Sequence, residues 1–153
     1  MAMILLYSNC LISFEKLSQF LTDSNIILKG FLDIEDVKSI YRSPVISEID
    51  FANKIKNLQG LTLIGEFNFR ELPVSFFQSK KEGLEVMVFL DSLDHFQREP
   101  IKANLQNTFN KHNLFQMIVC DDDDESNDCD WPAEFEEIMV KMPESVSSFC
   151  IRR

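Results

Sequence analysis

The sequence predicts a single α+β domain over residues 1–153: a central, mostly antiparallel sheet containing a three-stranded meander, with helices packed against it. Three observations carry that expectation. Segments between residues 61 and 90 alternate apolar and polar side chains with period two and are separated by a polar turn, as consecutive antiparallel strands do. Segments near residues 11–21 and 101–112 repeat apolar residues every three or four positions, as amphipathic helices do. The composition is 45% hydrophobic with fourteen Phe, which supplies a core sufficient for one domain of 153 residues.

Taken in order, residues 2–7 (AMILLY) are continuously apolar and predict a buried strand. Leu11, Phe14, Leu17, Phe20 and Leu21 then recur at helical spacing. Ile26–Leu28 predicts a second strand, and Asp33 opens a short helix with Ile34, Val37, Ile40 and Tyr41 on one face, ended by Pro44. Ser47 with Asp50 resembles a capping box, followed by an apolar face of Ile49, Ala52, Ile55 and Leu58 and by Gly60 as a helix cap.

Leu61, Leu63, Phe67 and Phe69 share one face of the next strand, with Gly65 marking a bulge. Val74–Phe77 and Leu84–Leu90 complete the meander across the turn Gln78–Gly83. Pro100 suits the first turn of a helix carrying Ile101, Leu105, Phe109 and His112 on one face. Phe115–Cys120 is a strand, Pro132 starts a helix with Phe135, Ile138, Met139 and Met142 inward, and residues 146–151 form a last strand. No internal repeat or domain boundary interrupts this order.

The net charge is −10, from 25 acidic and 15 basic residues. Ten of the acids lie between Asp121 and Glu137, where there is no Lys or Arg, so the remainder holds fifteen of each sign and is neutral. A neutral domain with one acidic stretch repels nucleic acid and attracts basic proteins. No apolar run approaches the roughly 18 residues of a membrane span. The N-terminus has neither a basic leader nor a small-residue cleavage site. The expected compartment is the cytoplasm, with Cys10, Cys120, Cys129 and Cys150 as reduced thiols. Cys120 and Cys129 flank the acidic stretch, and a disulfide closing it is the alternative.

The first candidate site is that stretch: Asp121, Asp122, Asp123, Asp124, Glu125, Asp128 and Asp130, with Trp131 and Glu134. Consecutive carboxylates cannot be buried together, so they are solvated, hold a cation or face a partner. The spacing lacks the glycine and the distal bidentate Glu of a calcium-binding helix–loop–helix, and no metal site is expected. Glu134, Glu136 and Glu137 also suit the first turn of the helix from Pro132 through its dipole. Trp131 is the chain's sole tryptophan, and an aromatic rimmed by charge is the pattern of a binding hot spot.

The second candidate is His95, near Asp91, Asp94 and Glu99, a pairing capable of acid–base work. No Ser or Cys nucleophile stands in a motif beside it, and a surface histidine is the simpler expectation. His112 ends a helix, where a histidine suits the dipole. Neither His95 nor His112 stands at zinc-ligand spacing from a cysteine. Gly30, Gly60, Gly65 and Gly83 are too far apart for a phosphate-cradling loop, which argues against nucleotide binding. No cofactor is expected.

From Ile26 onward the order strand, two helices, three-stranded meander, helix, strand, helix, strand resembles acetyltransferases of the GNAT type. That family holds the acetyl-CoA pyrophosphate with a glycine-containing loop before the helix that follows the meander. The corresponding segment here, HFQREPIKANL, has no glycine, so the resemblance implies at most a degenerate acyltransferase. The acidic DDDDE…DCDWPAEFEE stretch in a small α+β protein is similar in character to bacterial immunity proteins, the partners of contact-dependent inhibition toxins and nuclease colicins. That resemblance implies a non-enzymatic protein that occludes the cationic active site of a nuclease toxin. A DNA mimic would use the same stretch, but it requires charges spaced like phosphates along an elongated face.

Overall fold

The computed structural model describes residues 2–33, 38–40, 46–57, 60–79, 82–121 and 149–152. They form an α+β domain with the element order β1 (Met3–Ser8), α1 (Phe14–Asp23), β2 (Ile27–Asp33), β3 (Lys38–Ile40), α2 (Glu48–Ile55), β4 (Leu61–Phe67), β5 (Arg70–Gln78), β6 (Leu84–Phe89), α3 (His95–Lys111), β7 (Met117–Asp121) and β8 (Phe149–Arg152). The strands make one sheet in the order β3-β2-β4-β5-β6-β1-β7-β8. Every pairing is antiparallel. The meander β4–β5–β6 stands as expected. The N-terminal strand inserts between β6 and β7 and is buried along its whole length, which is why MILLYS is apolar on both faces.

Ile4 and Leu6 of β1, Val74 and Phe76 of β5, and Val86 and Val88 of β6 belong to one core cluster with Leu17 and Phe20 of α1, Phe51 and Ile55 of α2, and Ile101, Leu105 and Phe109 of α3. All three described helices therefore bury their apolar faces against the same side of the sheet. Ser13 caps α1 by accepting from the Lys16 amide. Glu48, the first residue of α2, accepts from the Phe14 and Glu15 amides at 2.9 and 3.1 Å, so one helix start satisfies the other's orphan donors.

Several expectations are corrected. Residues 38–40 are an edge strand paired with β2, not part of a helix. Eight residues containing Ile34, Val37 and Ile40 are a weak, β-branched helix former, and hydrogen bonding to β2 outweighs it. Leu11 precedes α1 and is exposed. In α2 the buried residues are Phe51 and Ile55, while Ile49 is 75% exposed, so the helix is rotated from the expected Ile49–Ala52 face. Ser47 does accept from the Asp50 amide at 3.1 Å. Gly60 is left-handed at φ +63, but at the entry to β4 rather than as a helix cap. The bulge lies on β2 between Leu28 and Gly30, in the strand opposite Gly65.

Helix α3 begins at His95, five residues before Pro100, because Asp94 and Gln97 form a reciprocal capping box with both bonds at 3.0 Å. Pro100 thus lies inside the helix. His112 is the C-cap rather than part of the buried face. The strand at 38–40 also replaces the first of the two helices on which the acetyltransferase-like order depends. The expected helix from Pro132, with Phe135, Ile138, Met139 and Met142, lies outside the described residues.

Two predictions arise from the sheet. Gly83 sits where an added β-carbon would lie 2.4 Å from the Ser8 carbonyl oxygen, in backbone that cannot yield cheaply. Gly83→Ala should lower stability by about 1–3 kcal/mol, measured by urea denaturation. Glu85 of β6 is the register partner of Tyr7 in β1 and of Phe77 in β5, and burial pushes its carboxyl above the ordinary 4.5. A folded-state pKa above the unfolded one favours the protonated form, so stability is highest below the unfolded value and declines as pH rises through the folded value. Glu85→Gln should therefore be more stable than the parent at pH near 7 and lose that advantage at pH near 4, about the unfolded carboxyl pKa. Equal advantages at both pH values contradict it.

Candidate functional site

The strand registers bring one set of chain ends to one end of the sheet. Phe67 faces Arg70 across the β4–β5 turn, Met3 faces both Phe89 and Asp121, and Cys120 faces Phe149. The N-terminus of β1, the C-termini of β4, β6 and β7, and the first residues of α3 therefore lie toward the same end. Asp121 closes β7 there, half-buried. The chain leaves the described structure after Asp121 and re-enters at Phe149, beside it in the sheet.

Acids from separate elements join that end. Glu71 opens β5, Asp91 follows β6, and Asp94 and Glu99 belong to the start of α3, all four exposed. The Ala2 amide donates to Asp91 Oδ1 at 2.8 Å, which anchors the N-terminus beside this carboxylate. Ser92 Oγ donates to the Glu71 carbonyl at 3.3 Å, holding the β6–α3 loop against the start of β5. The nearby cations are largely withdrawn from solvent. Arg98 is 3% exposed and its Nε donates to the Leu90 and Leu93 carbonyls, while Lys102 is buried against Glu99 at 2.8 Å. Arg70 is exposed at the rim. Among the described residues the exposed charge at this end is therefore mostly negative.

Of the sequence-predicted site, Asp121 is placed at this end. Asp122, Asp123, Asp124, Glu125, Asp128, Asp130, Trp131 and Glu134 lie outside the described residues, as does Cys129 of the alternative disulfide. Cys120 is buried in β7 and Cys10 is an exposed free thiol. Sequence reasoning missed the contribution of Glu71, Asp91, Asp94 and Glu99 as a group. It also missed that Phe69, in the β4–β5 turn, and Phe96, in the first turn of α3, are exposed. Asn68 between two alternating runs was the one available turn signal, and Phe69 in place of the glycine that such turns select obscured it.

His95, the second candidate, stands exposed at the start of α3. The adjacent Asp94 carboxylate accepts from the Gln97 amide. A different pair forms where the C-terminal ends of α1 and α3 meet. His112 Nε2 lies 3.0 Å from Asp23 Oδ2, and Gln19 Nε2 donates to the other Asp23 oxygen at 2.8 Å. Asn25, Asn104, Asn107 and Lys111 line the cleft beside them. A His–Asp pair can move a proton, but acyl transfer also needs a nucleophile. Nearby Ser24 Oγ is buried and bonded to Thr108 Oγ1 at 2.8 Å and the Phe20 carbonyl at 3.1 Å. Among the described residues no group of three or more His, Cys, Asp or Glu is placed to hold a metal ion.

No described helix is long and apolar enough to cross a membrane. No protein-family model matches the chain, no curated protein matches it, and no solved structure matches its fold.

Proposed function

We propose that this chain is a non-enzymatic binding protein that neutralises a basic protein, with a nuclease toxin as the target whose chemistry fits best. The observation that carries the proposal is the concentration of ten acids and Trp131 within residues 121–137 of an otherwise neutral chain. A nuclease cleft is cationic because it holds phosphates, so clustered carboxylates can occupy it and opposite charge accelerates the encounter. Supporting the reading, Asp121 begins the acidic stretch at the end of the sheet that already carries Glu71, Asp91, Asp94 and Glu99. The domain beneath is an antiparallel sheet backed by helices, suited to presenting a surface.

The test is affinity capture from native lysate of cells carrying the gene, using the tagged chain and a variant with Asp122, Asp123, Asp124 and Glu125 changed to lysine. The expected result is one basic protein retained by the parent, released by a high-salt step and absent from the variant eluate. Its nuclease activity should fall when the parent chain is added back. Identical capture by both chains removes the acidic stretch as the binding surface.

A further inference from the structure

We infer that Phe69 and Phe96 are apolar anchors of the same acidic surface, and that its occupant is a cationic protein segment carrying aliphatic side chains between its basic residues. This rests on the binding reading above and names the partner's chemistry more closely.

Phe69 is 95% exposed and Phe96 is 89% exposed, so neither ring contributes appreciably to the core. Phe69 also occupies a position that disfavours it. Asn68 and Phe69 form the two-residue turn between register partners Phe67 and Arg70, with φ of 49 and 64. Left-handed backbone at both positions is the hairpin geometry that selects Asn followed by Gly, because a β-carbon is disfavoured there. A phenylalanine placed against its backbone preference and surrounded by water gains nothing from folding. Such local rule-breaking concentrates where function requires it. Phe96 stands in the first turn of α3, and the Ser92–Glu71 hydrogen bond ties its loop to the strand leading out of the Phe69 turn.

The charge around the two rings selects the occupant. Among the described residues, exposed Glu71, Asp91, Asp94 and Glu99 outnumber the exposed Arg70 and the Glu66-paired Lys29 at this end, so nucleic acid, an anionic membrane and a second copy of this acidic surface would each be repelled. A cationic segment would be attracted, and an apolar contact at the centre of a polar rim is where binding energy concentrates.

The test uses two synthetic peptides of equal length and charge, one an amphipathic lysine–leucine sequence and the other with every leucine replaced by glutamine. Each is titrated against the full chain by calorimetry. The lysine–leucine peptide should bind about tenfold more tightly, a difference of about 1.4 kcal/mol. The F69N/F96Q double variant keeps the turn, because asparagine tolerates left-handed backbone. It should bind both peptides with the parent's affinity for the lysine–glutamine peptide, while its denaturant midpoint does not fall. Equal binding of the two peptides to the parent, weakened by salt, overturns the aromatic anchors and leaves the acidic reading standing. A preference that survives in the double variant also overturns them. Absence of binding by either peptide overturns both readings.

Discussion

Phe76→Ala is expected to lower the stability of the domain by about 3–5 kcal/mol, the range for truncating a fully buried phenylalanine. Phe76 is completely buried on β5 and receives a ring from each of two helices. Its centroid lies 6.3 Å from that of Phe14 in α1 and 5.7 Å from that of Phe51 in α2, with interplanar angles of 71° and 79°. Phe14 and Phe51 also meet at 5.2 Å, so the three rings form a closed triangle at the junction of both helices and the sheet. Edge-to-face pairs of this kind add about 0.5–1.5 kcal/mol beyond area burial. Removing the central ring leaves a void that neither helix can close without losing its other contacts. The measurement is urea denaturation with the slope held unchanged, supplemented by a Phe51–Phe76 double-mutant cycle. If Phe76→Ala leaves too little folded protein, Phe76→Leu reports the same site with a smaller loss. A cost below about 1 kcal/mol would mean that the junction is not packed as described.

The second large effect concerns association. Reversing Asp122, Asp123, Asp124 and Glu125 to lysine should slow binding of the proposed cationic partner by about 10- to 1000-fold at low salt, because steering by opposite charge contributes a factor of that size. The dissociation rate should change less, since rim charges act mainly on encounter. Raising the ionic strength should bring parent and variant rates together as the Debye length shrinks to about 3 Å at 1 M salt. Stopped-flow association at several salt concentrations decides it. Parallel salt dependences for parent and variant would assign the encounter to another surface. Glu71→Lys with Asp91→Lys provides an independent lever, because those two acids reach the same end of the sheet from β5 and the β6–α3 loop.

Much of the fold was legible because period two and period three-to-four are local properties. The meander shows itself in Leu61–Phe67, Val74–Phe77 and Leu84–Leu90, and the helix faces in Leu17–Leu21 and Ile101–Phe109. The errors fall where one local signal competes with another. The alternation through Leu61, Leu63 and Phe67 carries the count on to Phe69, but left-handed backbone at Asn68 ends the strand and turns the ring into solvent. Pro100 marks an early helical position, but the Asp94–Gln97 capping box starts the helix sooner. At 38–40 a short apolar repeat fits a helix, and only the neighbouring β2 makes it a strand.

The sequence by itself determined the α+β class, the antiparallel meander, the single core and the concentration of negative charge after residue 120. Each is written in composition or in spacing within a few turns of chain. Tertiary structure alone decided that β1 lies between β6 and β7, that His112 meets Asp23, and that Glu71, Asp91, Asp94 and Glu99 join Asp121 at one end of the sheet. Those neighbours are far apart along the chain. Periodicity marks which face of each strand and helix is buried, but the choice of which elements become neighbours rests on strand pairing and helix docking between distant segments, which no local spacing records.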